Sequence, residues 1–99
     1  MQTVQAINLI AVSPDIRSGR PHIVGSTVTV SDVAVAHLYH RQDADGIAEW
    51  YGLGLAQVYA ALAYYYDHKA EIDQQIRATI LQSESMKEQR VGGKNTLLS

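Results

Sequence analysis

The feature that most constrains this fold is a tight glycine turn between two helical segments of unequal length. Gly52-Leu53-Gly54 separates a short amphipathic stretch at 46–51 from a longer one that begins near Leu55. Gly52 suits the left-handed conformation that commonly ends a helix, and Gly54 is an acceptable residue to precede the next one. A further helical stretch comes before this pair, so the order of segments predicts a helix-turn-helix core.

Each of the three predicted helices carries a starting signal. Ser31 would cap the first helix, with Asp32 near its positive end, and this helix would end near 40–41. Asp45 would cap the second helix, and Gln57 stands three residues after Gly54 at the start of the third. The residues of the third helix that recur at helical spacing and would face the core are Val58, Leu62 and Tyr65.

Extended segments come before the helices. Residues 3–12 (TVQAINLIAV) are rich in β-branched side chains and predict a strand of roughly six to nine residues, which Pro14 ends. Residues 22–24 and 27–30 predict two shorter extended pieces. Because two short strands make only a marginal sheet, they would need to pack on helices or pair with another chain.

The C-terminal third continues in a helical pattern. Ile72, Ile76 and Ile80 recur every four residues, in a helix that either continues the third one or restarts after His68 and reaches about residue 89. Gly92-Gly93 would end it and leave a flexible tail at 92–99. Such a helix is marginal alone in water, so its own domain, a second subunit or a groove of a partner would cover the stripe.

Together these segments predict a mainly α protein with a helix-turn-helix core, a short N-terminal β arm and a long C-terminal helix. Ninety-nine residues are enough for one domain, which we place at residues 1–91. Its parts would be a β arm at 1–30, a three-helix core at 31–67 and a helical extension at 68–91.

Composition weighs against several function classes. The chain has no cysteine, which removes disulfides and thiolate chemistry. No apolar run reaches the roughly 18 residues that span a membrane, and no basic segment of a signal peptide precedes the first apolar stretch. We therefore expect a cytoplasmic protein without membrane contact. The acidic residues are scattered and no nucleophile motif is present, which favours a non-catalytic protein without a cofactor or metal.

The candidate DNA-contacting residues fall on two parts of the chain. The basic cluster near the arm and the first helix comprises Arg17, Arg20, His22 and Arg41. The third helix would supply Gln57, Tyr59 and Tyr64, since Gln can read adenine and Tyr can bond to phosphate. The alternative for the basic cluster is ordinary surface charge, and the net charge of −2 counts against strong phosphate binding. No Arg, Lys or Asn lies between 55 and 66, which favours a protein partner over DNA on this helix.

Aromatic and apolar residues supply the candidate partner or dimer interface. These residues are Tyr64, Tyr66, Ile72, Ile76 and Ile80. The triplet at 64–66 cannot face inward as a whole, because helical residues step by 100°, and Tyr65 is predicted to be the buried member.

Three other side chains have competing interpretations. Trp50 is predicted to plug the core together with Tyr51 rather than to stack on a ligand. His37 and His40 lie three apart and would share a helix face, which is one requirement for a metal pair. Because no motif supplies a third ligand, packing and helix-end roles are the favoured interpretation, and metal-assisted chemistry is the alternative from the enzyme class.

Two runs of the chain resemble the domain-of-unknown-function 433 family. The first is PDIRSGRPHIVGSTVTVSDVAV, and the second is DGIAEWYGLGLAQVYAALAYYYDHKAEID. The positions that carry the resemblance are Gly19-Arg20-Pro21, Ile23, Gly25-Ser26, Val28, Val30, Ile47-Ala48, Tyr51, Val58, Ala60-Ala61-Leu62 and Tyr64. Together they cover roughly residues 10–75.

The resemblance implies a homeodomain-like three-helix core with a β arm. It also implies a function, because some members look like VapB-like antitoxins encoded beside PIN-domain ribonuclease toxins. The sequence departs from the family pattern at Val24 and Thr27, where members commonly carry basic residues. The hypothesis is an antitoxin, homodimeric, that masks a PIN-type toxin and binds operator DNA; the alternative is a homodimeric protein-interaction module without DNA binding.

Overall fold

A computed structural model describes the backbone of residues 1–98 and the side chains of residues 1–85. Two strands, β1 (Ile10–Ala11) and β2 (His22–Ile23), flank a single 3₁₀ turn at Arg17–Gly19. Four helices follow: α1 (Val30–Leu38), α2 (Ala44–Tyr51), α3 (Leu55–Asp67) and α4 (Lys69–Leu98). The predicted mainly helical fold, with a short β arm and a long C-terminal helix, is confirmed.

The core forms where α1 and α3 pack on each other, with α2 and the start of α4 against them. The predicted stripe of α3 is confirmed, since Val58, Leu62 and Tyr65 are all buried. Ile72 and Ile76 of α4 complete the same core and are at most 2% exposed. The helical extension is therefore part of the packed domain, and removing it would expose the faces of α1 and α3 that it covers.

The N-terminal arm is much shorter as a strand than its composition predicts. Ile10 pairs with Ile23 and Ala11 with His22 in an antiparallel ladder of two residues, and His22 also bridges to Thr29. The predicted strand of six to nine residues is wrong for the single chain because β2 offers only two residues to pair with. Residues 1–8 are exposed and take no part in the described backbone hydrogen bonds.

The first two helices begin two residues before the predicted caps suggest. Thr29, not Ser31, caps α1: its Oγ1 accepts from the Asp32 amide at 3.0 Å, and Asp32 Oδ2 accepts from the Thr29 amide at 3.0 Å. Asp43, not Asp45, caps α2, with its Oδ1 accepting from the Gly46 amide at 2.8 Å. In each case an earlier residue with a side-chain acceptor was available and the helix extends to it.

The turn between α2 and α3 forms as predicted. Gly52 adopts φ +69° and ψ +38°, the left-handed conformation in which glycine carries no steric penalty. The Leu53 amide donates to the Ala48 carbonyl at 2.8 Å, and the Gly54 amide donates to Gln57 Oε1 at 2.8 Å. These bonds fix the angle at which the chain enters α3.

A break separates α3 from α4. His68 leaves helical geometry with φ −124° and ψ +39°, so the helix restarts at Lys69 rather than continuing. The bounds of α4 run to Leu98, past the Gly92-Gly93 pair at which the sequence predicts an end. The flexible tail predicted at 92–99 otherwise lies outside the residues whose side chains are described.

Candidate partner-binding groove

A groove of about 390 Å³ lies where α1, α2 and α4 meet beside the 3₁₀ turn. The face of α4 that lines it consists of Ile76, Thr79, Ile80, Ser83 and Glu84. These positions follow the spacing of one helix face, so a single side of α4 forms one wall. The helix α1 and its C-terminal end form the opposite wall, through Ser31, Asp32, Val35, Ala36 and His40.

The floor of the groove is apolar and continues onto exposed hydrophobic side chains. Ile80 lines the groove and is 41% exposed. A second depression of about 330 Å³ shares Ala36, His40 and Tyr51 with the groove and is bordered by Trp50. Large hydrophobic groups that stay in water and line a depression mark a surface suited to binding another molecule.

The prediction that Trp50 plugs the core is wrong, because 74% of Trp50 is exposed. The residues of α2 that pack inward are Ala44, Ile47, Ala48 and Tyr51. On a helical wheel, Trp50 points about 110° away from the centre of that set. The sequence signal for this is the pair Ala44 and Ala48, which together with Ile47 and Tyr51 defines an inward face of α2 that excludes Trp50.

Charged groups border one end of the groove. Arg17 Nη1 lies 2.9 Å from Asp32 Oδ2 and donates to the Thr27 carbonyl at 3.0 Å. Asp32 therefore serves both the α1 capping box and this ion pair. Arg20 lines the same end and forms no ion pair among the residues whose side chains are described. Burial raises the pKa of the Tyr51 hydroxyl, and the negative charge of Asp32 raises it further.

The predicted basic cluster does not come together as one surface. Arg17 and Arg20 share the groove, but His22 is only 3% exposed and its Nδ1 has no hydrogen-bond partner. His22 therefore lies in the interior, where a phosphate cannot reach it. Arg41 is exposed in the loop after α1, with a left-handed φ of +55°.

The predicted DNA-contacting residues of α3 have other local roles. Gln57 uses its Oε1 to accept from the Gly54 amide, and Tyr64 stacks on His68 with ring centroids 4.0 Å apart. Burial raises the pKa of Tyr64, with smaller contributions from the nearby carboxylates of Glu71 and Asp67. Tyr59 remains free at the surface and is 60% exposed.

Two of the five predicted partner contacts are not on the surface. Ile72 and Ile76 are buried by their own domain. The sequence allows this alternative beside burial by a second subunit or by a groove of a partner. Ile72 is inaccessible to a partner, whereas Ile76 lines the groove although it is only 2% exposed. Ile80 and Tyr66 are exposed, at 41% and 56%, and Tyr64 is half-buried. Only Ile80 of these lines the groove.

His37 and His40 do not share a helix face, because α1 ends at Leu38. His37 Nδ1 lies 3.2 Å from the Gln42 carbonyl, while His40 faces the groove. Within the described part of the chain, no three His, Cys, Asp or Glu residues are grouped as metal ligands. None of the helices there combines the length and the apolar character needed to cross a membrane.

A family model described as Protein of unknown function (DUF433) matches residues 10–65, which run from β1 to the buried Tyr65 of α3. The chain belongs to the DUF433 family. Comparison with curated proteins gave no match, and neither did comparison with solved structures. The groove of this DUF433 protein joins the two parts of the chain, since α1 and α2 lie inside the matched region and α4 lies outside it.

Proposed function

We propose that this DUF433 protein is a non-catalytic binding protein that holds an apolar segment of a partner protein in its groove. The observation that carries the proposal is that exposed hydrophobic side chains line the groove and the adjoining depression: Ile80 is 41% exposed and Trp50 is 74% exposed. Burying such side chains against a partner lowers the free energy by about 25 cal/mol per Å² of apolar surface removed from water. Trp in particular is enriched at energetically dominant positions of protein interfaces.

The charges at the groove define the partner segment more closely. An apolar side chain would fill the floor between Ala36 and Ile76, and an acidic side chain would reach Arg20. Arg17 is less suited to this role because Asp32 already neutralises it. A helix or an extended strand with one acidic residue beside its apolar face has the complementary chemistry.

We further propose that the partner is a PIN-type ribonuclease toxin and that this protein is its antitoxin. Support comes from the resemblance of some DUF433 members to VapB-like antitoxins and from the apolar groove itself. In this proposal the groove and the exposed face of α4 cover part of the toxin and thereby mask it.

Binding of operator DNA is the less supported part of the antitoxin proposal. The exposed side of α3 carries Tyr59 and Tyr66 but no cation, Gln57 is engaged in its turn, and His22 is buried. An uncharged tyrosine-bearing face suits a protein surface better than a phosphate backbone. This observation favours the second candidate function, an interaction module that does not bind DNA.

The test is co-expression with the product of the adjacent gene, followed by affinity purification and size exclusion. Co-elution from wild type is expected, together with its loss in Ile80→Glu, which places a charge in the groove. The matched control is Leu55→Glu, because Leu55 is 46% exposed but lies at the start of α3, away from the groove. Truncation after His68 is unsuitable, since it removes Ile72 and Ile76 from the core.

Two outcomes would contradict the proposal. A neighbour product that never co-elutes with the folded wild-type protein would contradict the antitoxin assignment. A partner that binds Ile80→Glu as well as it binds Leu55→Glu would show that the groove is not the binding site. Circular dichroism of both variants checks that each remains folded.

A further inference from the structure

We propose that residues 3–9 form an intermolecular β-strand, by antiparallel pairing with the same segment of a second copy of this chain. The proposal concerns the arm and does not depend on which molecule fills the groove. The depression beside the arm is lined by Ile7, Ile10 and residues of α3, and it shares no residue with the groove.

The arm has the composition of a strand, but within the part of the chain whose backbone the structure describes, residues 3–8 pair with no other strand. Residues 3–12 read TVQAINLIAV, in which β-branched residues recur. The β-ladder covers only Ile10 and Ala11, and the last hydrogen bond toward the N-terminus joins the Val24 amide to the Leu9 carbonyl at 2.9 Å. Beyond that bond β2 turns away at Gly25, whose φ is +83°. The backbone groups of residues 3–8 are therefore open to another strand.

The arm also lacks the charges that normally protect an exposed strand edge. No Asp, Glu, Lys, Arg or His occurs among the first 14 residues, and the first charged side chain is Asp15. Natural proteins place charged residues, proline or bulges on free strand edges, and these prevent the edges from pairing with other strands. Val4 and Ile7 are instead 83% and 77% exposed on this uncharged edge. An edge of this kind is one that a neighbouring strand covers in the assembled protein.

A second copy is the occupant that fits the charge of the arm. Antiparallel pairing of residues 3–9 with the same segment of a second copy places Ala6 on the two-fold axis and Ile7 opposite Gln5, so the two Ile7 side chains are diagonal neighbours on one face. Like charges directly opposite one another destabilise such a pair, and this arm contains none. The remainder of the chain carries the net charge of −2, so two copies that meet at the uncharged arm bring no like-charged side chains together there.

The depression beside the arm adds an apolar surface for the incoming strand. It has a volume of about 540 Å³, and Ile7 faces Ala60, Ala63 and Tyr64 across it. Small side chains on α3 leave space next to Ile7 for a side chain of the second strand.

Sedimentation equilibrium of the full chain tests the proposal. The wild type is expected to form a dimer of two 10.9-kDa chains. Ile7→Lys and Ile7→Glu, each of which places like charges near the two-fold axis, should weaken dimerisation by about tenfold or more. Ile7→Val is the matched control and should dimerise like the wild type. Ile7 is exposed in the single chain, so no variant is expected to change the circular dichroism spectrum.

A charge-swap experiment tests the pairing through recovery of dimerisation and not only through its loss. Differently tagged Ile7→Lys and Ile7→Glu chains, when mixed, should co-purify because opposite charges then lie diagonally across the axis, within reach of each other. Amide hydrogen exchange should show protection at residues 3–9 that disappears on dilution. A wild type that stays monomeric at roughly 100 µM, where a micromolar dimer would be formed, overturns the proposal. A dimer that survives deletion of residues 1–8 also overturns it.

Discussion

Tyr65 and Asp73 join the two longest helices across the break at His68. The Tyr65 hydroxyl donates to Asp73 Oδ1 at 2.6 Å, while Lys69 Nζ donates to Asp73 Oδ2 at 2.7 Å. Tyr65 is 1% exposed, so its hydroxyl is held at the end of a fully packed ring. The pair therefore fixes the first turns of α4 on α3 and, with them, the position of the groove wall.

Removal of the Tyr65 hydroxyl is expected to weaken the contact between α3 and α4 without creating a cavity in the core. Tyr65→Phe keeps the ring but leaves Asp73 with only Lys69 as a partner. We expect a loss of about 1.5–3 kcal/mol in the free energy of unfolding, as is usual for a hydrogen bond to a charged group. Urea unfolding measures the loss, and Tyr66→Phe is the control because Tyr66 is 56% exposed. Equal effects of the two substitutions would show that the bond to Asp73 stabilises nothing.

The same hydrogen bond makes stability depend on alkaline pH. Burial raises the pKa of Tyr65 above its ordinary value of 10.0, and the hydrogen bond and negative charge of Asp73 raise it further. A raised pKa means that the folded state favours the protonated hydroxyl. Its contribution is complete below pH 10.0 and is lost as pH rises through the folded-state value.

The contributions of Tyr65 and Lys69 to the pH dependence of stability can be separated by substitution. The hydrogen bond to Asp73 and its charge also raise the pKa of Lys69 above 10.5, so both groups lose their contribution on the alkaline side. Phenylalanine cannot ionise, so the stability difference between wild type and Tyr65→Phe should shrink as pH rises above 10.0. Thermal unfolding of the two proteins across that range measures it. A difference that stays constant with pH would contradict the assignment to Tyr65.

Acid titrates the other member of the pair. The hydrogen bonds from Lys69 and Tyr65 lower the pKa of Asp73 below its ordinary 3.8. A lowered pKa means that Asp73 contributes above pH 3.8 and that its contribution is lost as pH falls through the folded-state value. Asp73→Asn should therefore destabilise the protein at neutral pH and lie closer to the wild type in acid. The measurement is thermal unfolding of both proteins on either side of that pH.

The sequence predicted the helical part of this fold because each helix is set by local signals. Gly52 and Gly54 mark the turn between α2 and α3 by their backbone freedom, and the stripe of α3 follows from a spacing that only one face satisfies. The break at His68 was left open, because an unbroken run of helix formers is compatible with a continuous helix and with two. In the structure the helix breaks at His68, and Ile72 and Ile76 of the restarted helix are buried in the core.

The groove and the arm were less predictable because they depend on contacts between distant segments. The sequence gives no direct sign that Asp32 pairs with Arg17, 15 residues away, or that β2 offers only two residues to the arm. Ile72, Ile76 and Ile80 look equivalent along the chain, yet only the first two reach the core. Their difference comes from where α4 leaves the surface of α1, which periodicity alone does not show.

The choice of helix cap gives a direct test of one difference between prediction and structure. Asp43 accepts from the Gly46 amide at 2.8 Å, whereas Asp45 lies in the first turn of α2 and is exposed. Asp43→Ala should cost about 1 kcal/mol in the free energy of unfolding, as loss of an N-cap usually does. Asp45→Ala is the matched control, since it removes the same charge but only a smaller interaction with the helix dipole. A larger cost for Asp45→Ala in urea unfolding would mean that the predicted cap is the real one.

Substitution of Arg17 tests whether this cation stabilises the fold or contacts nucleic acid. Its guanidinium bonds to Asp32 and to the Thr27 carbonyl, and its side chain is 41% exposed. Arg17→Ala should therefore lower stability by at most about 1 kcal/mol, the range of partly exposed ion pairs. Because Asp32 neutralises it, the substitution should leave the salt dependence of any DNA binding unchanged.

Arg20 provides the comparison, because it shares the groove end but has no ion pair among the described side chains. If Arg20 meets an acidic group of the partner protein, Arg20→Ala should weaken co-elution with that partner more than Arg17→Ala does. If these cations instead contacted phosphate, each substitution would reduce the slope of log affinity against log salt by about one. Filter binding to DNA of the upstream region at several salt concentrations measures that slope, and a reduced slope for both variants would favour DNA. Loss of co-elution with the partner protein that is confined to Arg20→Ala would favour the protein partner.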